Sequence, residues 1–558
     1  MRILPLLALS SPATASVLWS NNNNNNFKVN GICPLAPKIT PHDTLQSSLR
    51  FVENPSIRSQ QAERLSKAVQ IPTQVTDYMK DPYDEAFAPF LDFHSLLKRL
   101  FPITHDIANL TTVNRLGLVY TLHGSNQALK PILLTGHQDV VPINDASDWT
   151  HPPFKGHFDG EWLWGRGSSD CKNVVIGLLS VIEDLLAQDW TPERTVVLAF
   201  GFDEESHGFL GAGSIATYLE SVYGKHSFEF VLDEGGMGLE SLPGDDGVVY
   251  ALPGVGEKGS IDLVFDLSVP GGHSSIPPPH TGIGILSEII FALEKEELFA
   301  PKLGSGHPSR RKLECQVRHS PESVEPWLAH ALSSTDQLST AEQLARSRGD
   351  KFRFILQTSQ AADIFNGGVK SNALPEHISA LVNYRIALHQ TPEDVTSRAV
   401  RIITPIVQKH NISLSAFPED GKDEGKQNHL TISTLSGALS PAPVSPTETG
   451  KDKVWTRFAG VTRSVFESVP SLKGKTVVVG GDIMTGNTDT RFYWSLSRNI
   501  YRWSPSRAGG VLNIHTVDER VAIDVHLEAM ALYYDLIRAF DSWDGEIDAV
   551  SDEVPHDL

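Results

Sequence analysis

Three short apolar runs that end in histidine or acid constrain this chain most. Residues 132–135 lead into Gly136, His137 and Asp139, residues 195–202 into Asp203, Glu204 and Glu205, and residues 228–232 into Asp233 and Glu234. Runs that are apolar throughout are the mark of strands buried on both faces. Residues 173–188, with Val174, Ile176, Leu178, Leu179, Ile182, Leu185 and Leu186, read as a buried helix between them. Strands alternating with helices predict an α/β domain whose mainly parallel sheet is covered by helices. Ligands of such sheets gather at the strand ends, where these acids and this histidine stand.

The pattern changes near residue 258. Ile261, Leu263, Phe265, Leu267 and Val269 alternate with more polar residues, as in a sheet with one wet face. A helix is expected over about 281–295 and a second alternating strand over 379–388. Thr391 then caps a helix that has Pro392 at its first position. This order suits a smaller α+β domain inserted into the first. Residues 301–350 read as a polar, irregular insertion and 418–452 as a surface loop. Residues 475–480 and 527–540 return to the first domain as a strand and a closing helix. The expected division is therefore a signal and disordered segment over 1–50, a catalytic domain formed by 51–256 together with 418–545, and an inserted domain over 257–417. A length of 558 residues accommodates this.

A net charge of −20 argues against nucleic acid or an anionic membrane surface as the main partner. Cys33, Cys171 and Cys315 form no CxxC pair, so any metal must be held by His, Asp and Glu. One disulfide with a spare thiol, or three thiols, would fit equally. The start, Met1-Arg2 and then apolar residues to Leu9 before Ala13-Thr14-Ala15, reads as a signal peptide or a short membrane anchor. Residues 21–26, all asparagine, read as a spacer. Asn109 and Asn411 open N-x-S/T sequons.

His137 and Asp139 share a strand face, so the carboxylate can fix the imidazole tautomer. Asp170 follows a glycine-rich approach, Trp164-Gly165-Arg166-Gly167-Ser168-Ser169, at a position where a helix cap would also sit. Asp203, Glu204 and Glu205 repel one another unless a cation offsets them. Two adjacent carboxylates can then divide the work of ligand and general base. His515 lies in Asn513-Ile514-His515-Thr516-Val517-Asp518-Glu519. Histidine and carboxylate ligands with positions left for water are the pattern of catalytic zinc.

The succession GHQDVVP, WGRGSSDCK, FDEES, LDEGG, PGGHSS and NIHTVDE, with SNALP, resembles the M20 metallopeptidases over about residues 85–540, and within them the carboxypeptidase S (Gly-Xaa carboxypeptidase) branch. The resemblance implies a zinc-exopeptidase-like catalytic domain with an inserted lid or dimerisation domain. It implies two Zn2+, with Co2+ or Mn2+ as substitutes. His137 would bind one metal, with Asp139 orienting it. Asp170 would bridge both metals, and its bond to Cys171 is often cis in the family. Glu205 and His515 would bind the other metal. The remaining ligand is Asp233 or Glu234, with Asp233 favoured. Glu204 would be the general base. His273, in Pro270-Gly271-Gly272-His273-Ser274-Ser275, would stabilise the oxyanion. Asn372, Arg385, Gly486 and Arg491 fall at substrate-binding positions, Arg385 suiting a free carboxylate. Cys171 stands where many relatives carry Met.

The implied reaction is hydrolysis of the C-terminal amide bond of a short peptide, with glycine or another small penultimate residue, through a metal-bridging hydroxide. An N-acyl-amino-acid hydrolase or synthase would use the same site. A metal-dead binding protein is a third reading, opposed by the full set of candidate ligands. The branch suggests a vacuolar lumen or secretion, and relatives are monomers or dimers joined through the lid.

Overall fold

A computed structural model describes residues 32–295, 299–418 and 427–546. The expected signal or anchor and the asparagine run lie outside them. Among the described residues no helix is long and apolar enough to cross a membrane.

The catalytic domain opens with strands β1 (Asn109–Val113), β2 (Gly117–Leu122), β3 (Ile132–His137), β4 (Val196–Gly201), β5 (Val231–Asp233) and β6 (Gly254–Glu257). The lid follows with β7 (Gly259–Ser268), β8 (Ser359–Gly367), β9 (His377–Ile386), β10 (Ser413–Ala416) and β11 (His429–Leu439). The chain then returns to the first sheet with β12 (Asp482–Met484) and β13 (Ile500–Arg502). The eight-stranded catalytic sheet has the order β1-β2-β4-β3-β5-β13-β6-β12. Its centre is parallel, β3 pairing with β4 and β5, and β5 with β13. β2, β3 and β4 are buried along their whole length, which explains their unbroken apolar sequence. The helices Lys172–Leu186 and Ile523–Asp541 cover one face within a single large core. Ala212–Tyr223 covers the other.

The lid is a five-stranded sheet of order β8-β9-β7-β11-β10. β7 buries alternate residues, as its sequence predicts. The helices Gly282–Lys295 and Pro392–Lys409 cover its apolar face. Thr391 and Asp394 form a reciprocal capping box at the second helix.

Three expectations need correction. Residues 418–452 are not one surface loop, because β11 pairs with β7 inside the lid sheet and buries Leu430 and Ile432 completely. Only Leu430 and Ile432, at its start, alternate with polar residues, and the charged stretch before them hides the pattern. Residues 301–350 are not irregular. They fold into the helices Pro308–His319, Leu328–Ser333 and Gln337–Arg348, and Asp350–Leu356 continues the bundle around Leu313, Leu328, Leu344 and Leu356. Finally, the tail of the expected disordered segment is packed. Leu35 and Ala36 are buried, and Cys33 is disulfide-bonded to Cys315.

Candidate active site

Five segments bring the predicted acids and histidines together: the carboxyl ends of β3, β4 and β5, and the loops that carry Asp170 and His515. His137 ends β3, and its Nδ1 faces the Asp139 carbonyl at 3.1 Å and the Asp139 carboxylate at 3.3 Å. The second Asp139 oxygen accepts the Glu205 N–H at 3.0 Å, tying the β3 loop to the β4 loop. Asp139 therefore orients both a ring and a backbone.

Asp170 stands between the two histidines. Its Oδ1 is 3.0 Å from His137 Nε2, and its Oδ2 is 3.1 Å from His515 Nε2. Glu234 Oε1 lies 3.2 Å from His137 Nε2, and Glu205 Oε1 lies 3.1 Å from His515 Nε2. Two nests result, His137–Asp170–Glu234 and His515–Asp170–Glu205, sharing one carboxylate. A tetrahedral zinc with bonds of ~2.0–2.1 Å has ligands ~3.3 Å apart, close to all four separations. Oxygen and imidazole donors in these proportions fit a zinc-type ion in each nest.

Of the two acids left open by the sequence, Glu234 enters the cluster. Asp233 is still part of the buried strand β5 and points toward Thr135 and Glu257, its Oδ1 accepting the Glu234 N–H at 2.9 Å. Favouring Asp233 therefore does not match the geometry. A strand's side chains alternate, so neighbouring acids at its end face opposite ways.

Electrostatics reflect this crowding. Burial, with Asp170 and other acids nearby, pushes Glu205 and Glu234 each up to about 7. Burial drives Glu204 well above the usual carboxylate range, with Asp489, Glu205 and Glu234 adding to it. Hydrogen bonds to Asp170 and Glu205 push His515 up to about 10. Crowded acids of this kind favour either protonation or a neighbouring cation.

The bond between Asp170 and Cys171 is cis, and Cys171, not Asp170, caps the helix Lys172–Leu186. The Cys171 thiol is buried against the His137 backbone, accepting its N–H at 3.1 Å, and burial raises it well above the ordinary thiol range. The loop carrying His515 runs through left-handed backbone at Asn513, His515 and Asp518, a conformation non-glycine residues adopt where surroundings enforce it. Asp518 anchors that loop by accepting the Thr150 N–H and hydroxyl at 2.8 and 2.7 Å.

One residue was not assigned a role from the sequence. Glu519 is fully buried, receives Arg166 Nη1 at 2.6 Å and the Gly167 and Ser169 N–H groups at 3.0 and 3.2 Å, and so braces the loop that presents Asp170. Its place four residues after His515, in the same motif, was the available signal. Asp489 was missed as well. It fills the space beside Gly201, where an added Cβ would meet its Oδ2 at 2.6 Å.

A cavity of about 490 Å³ opens beside the cluster, lined by Glu204, Glu205, His515, Arg385, Gly486 and Arg491 among others. Arg385 reaches it from β9 with Nη1 donating to Asn487 at 3.0 Å. Arg491 is held by the His207 carbonyl and by the rings of Phe209 and Phe492. His273 and Asn372 are not brought there. They lie on an exposed lid hairpin, where His273 pairs with Ala373 and faces the Ser275 hydroxyl at 2.7 Å. Within this chain the hairpin projects from the lid into solvent, so its residues stand apart from the cavity that Arg385 enters.

Residues 133–539 match the model of peptidase family M20/M25/M40. This chain belongs to that family. Among curated M20 relatives, Carboxypeptidase S of Saccharomyces cerevisiae is 38% identical over 90% of this chain and 88% of its own length. The N-fatty-acyl-amino acid synthase/hydrolase PM20D1 of Homo sapiens is 30% identical over 86% of this chain and 88% of its own length. Among solved structures, human carnosine dipeptidase 1 superimposes with a TM-score of 0.59 at 13% identity, covering 90% of this chain and all of its own. That likeness concerns the fold alone. Membership makes the chain a peptidase-type hydrolase, and the acid and histidine cluster is its candidate metal centre.

Proposed function

We propose that this chain is a di-zinc carboxypeptidase that releases the C-terminal residue of short peptides, with glycine or another small residue before the cleaved bond. One observation carries the reading: Glu204, Arg385 and His515 line one cavity, and His515 meets the Asp170 carboxylate that also reaches His137. His137, Asp170 and Glu234 would hold one ion, and His515, Asp170 and Glu205 the other. Such ions supply Lewis acidity and a nucleophile at neutral pH.

The chain's own residues do the rest. Arg385, with no acidic partner among the described residues, offers its guanidinium to the substrate's terminal carboxylate. That contact fixes the last amide bond relative to Glu204 and confers exopeptidase behaviour. Glu204 takes the proton of the attacking water and passes it to the leaving amine. Burial raises its proton affinity, as that double role requires. Asp139 holds His137 in one orientation. Arg491 lies near Glu204 and Asp489 and balances their charge at the cavity wall. His273 and Asn372 would meet the substrate only through movement of the lid or from the lid of a second copy, where His273 would stabilise the oxyanion.

A secretory route, ending in a vacuolar lumen or outside the cell, is supported by the Cys33–Cys315 disulfide, which oxidising compartments favour. The exposure of both sequon asparagines, Asn109 and Asn411, agrees with it.

The second reading, hydrolysis or synthesis of N-acyl amino acids, is favoured by the identity to a fatty-acyl-amino acid synthase/hydrolase. Incubation of zinc-loaded protein with a blocked Gly-Leu dipeptide and, separately, a long-chain N-acyl leucine separates the two. Leucine released from the dipeptide in preference, and lost in Glu204→Ala, supports the carboxypeptidase. Preferential cleavage of the acyl substrate replaces it with the second reading, and turnover of neither refutes both.

A further inference from the structure

A second cavity, of about 1090 Å³, adjoins the catalytic one, and the two share Arg385 and Gly486 in their walls. It is built largely by the helical insertion. Phe352, Phe354 and Ile355 come from the last insertion helix, and Met237 and Leu242 face them from the loops around Leu239–Glu240. Phe354 and Met237 are 39% and 43% exposed, although both are large and apolar. Of the charged groups in its wall, Lys312, Glu325 and Arg348 are paired, while Glu240, Lys351 and Arg385 stand at it without an ion pair among the described residues. Arg348 pairs with Glu325 at 2.8 Å and Lys312 with Asp482 at 2.5 Å, and both cations lie over the Phe352 ring. A cavity of this size, with more apolar than polar surface in its wall, offers a ligand chiefly apolar contact. No Cβ at Gly486 would meet an atom within 4 Å, so the passage between the two cavities is open there.

We propose that this cavity binds a hydrocarbon group of the amide substrate while its carboxylate sits on Arg385. The insertion would thus select substrates by their apolar bulk. The proposal rests on the amide-hydrolase reading given above. Two portions of a substrate could supply the hydrocarbon: a long acyl chain, or the side chain of the released residue, which is attached beside the anchored carboxylate. The chemistry recognised is the same.

The test measures kcat/KM of the zinc-loaded wild type, Phe354→Glu and Met237→Glu on two series. One is N-acyl leucines from acetyl to hexadecanoyl, and the other is blocked glycyl dipeptides ending in Ala, Leu or Phe. Both substitutions place charge at side chains already partly in water, so the fold tolerates them. In the wild type, kcat/KM should rise along one series by up to about fourfold per buried methylene, the equivalent of ~0.8 kcal/mol. Both variants should flatten that rise and leave the smallest substrate unchanged. The series that responds names the source of the hydrocarbon. Equal slopes in wild type and variants, or an equal loss on the smallest substrate, overturns the proposal. Should the wild type turn over neither series, the hydrolase reading fails separately. Binding of a fluorescent long-chain fatty acid then decides: weakening of tenfold or more in Phe354→Glu upholds the cavity's role, and unchanged or undetectable binding refutes it.

Discussion

Asp170 joins two imidazoles through its two oxygens, and the chain spends Glu519 on holding it there. Glu519 meets backbone N–H groups, that of Asp170 included, and no ligating atom, so its effect passes through the loop. Glu519→Gln keeps the shape but weakens the grip on Arg166 and on the loop N–H groups. Metal affinity or turnover should fall by about 10–100-fold, the range usual for residues behind a metal ligand, read by competitive chelator titration and by kcat. An unchanged affinity would assign Glu519 to folding alone. Glu204→Ala should act differently, lowering kcat by about 10²–10⁴-fold, the range of general acid–base catalysis, with metal content retained. Loss of metal in that variant would make Glu204 a ligand instead of a base.

At the scale of elements, His137, Glu204, Glu205 and Glu234 could be picked out as candidates because each stands at or just past the end of an apolar strand, whereas Asp170 and His515 sit in loops. β3, β4 and β5 are apolar throughout and stop at His137, Asp203 and Asp233, so period and chemistry mark the same boundaries. What escaped is set by distance or by packing. Whether Asp233 or Glu234 faces the cluster depends on the rotation of β5, which sequence does not record. β11 looked like loop because only Leu430 and Ile432 show the alternation that its pairing with β7 exploits. The insertion helices are polar outside a thin apolar stripe, Leu313, Val317, Leu328 and Leu344, and they close on one another only in three dimensions. The Cys33–Cys315 bond joins the N-terminal segment to the first of these helices across 282 residues. Replacing both cysteines by serine should lower stability by about 2–4 kcal/mol, measured as a lower Tm. No shift would mean that the insertion is held by its own core.

At the scale of the molecule, acidification bears on stability through histidines buried away from the site. Burial lowers His526, on the inner face of the closing helix Ile523–Asp541, to about 4. The unfolded chain takes up that proton near pH 6.5 and the folded chain does not, so between about 6.5 and 4 the unfolded state binds more protons. Stability from this residue is full above pH 6.5 and declines as pH falls through that window, by up to ~1.4 kcal/mol per pH unit. Denaturant unfolding at pH 7 and pH 4.5 should therefore show a smaller pH effect in His526→Phe than in the wild type. An equal effect would place the acid sensitivity elsewhere.

The two domains divide the work. The catalytic sheet presents the paired nests, and the lid contributes Arg385 through β9 and holds His273 and Asn372 on its exposed hairpin. Everything proposed for the reaction depends on those nests being two metal sites that share Asp170. The direct measurement is metal content per chain by plasma mass spectrometry for the wild type, Glu234→Gln and His515→Ala, purified in the presence of zinc. About two equivalents are expected in the wild type, with a loss of about one in each variant. One equivalent or none in the wild type, or two retained in Glu234→Gln, would refute the paired sites.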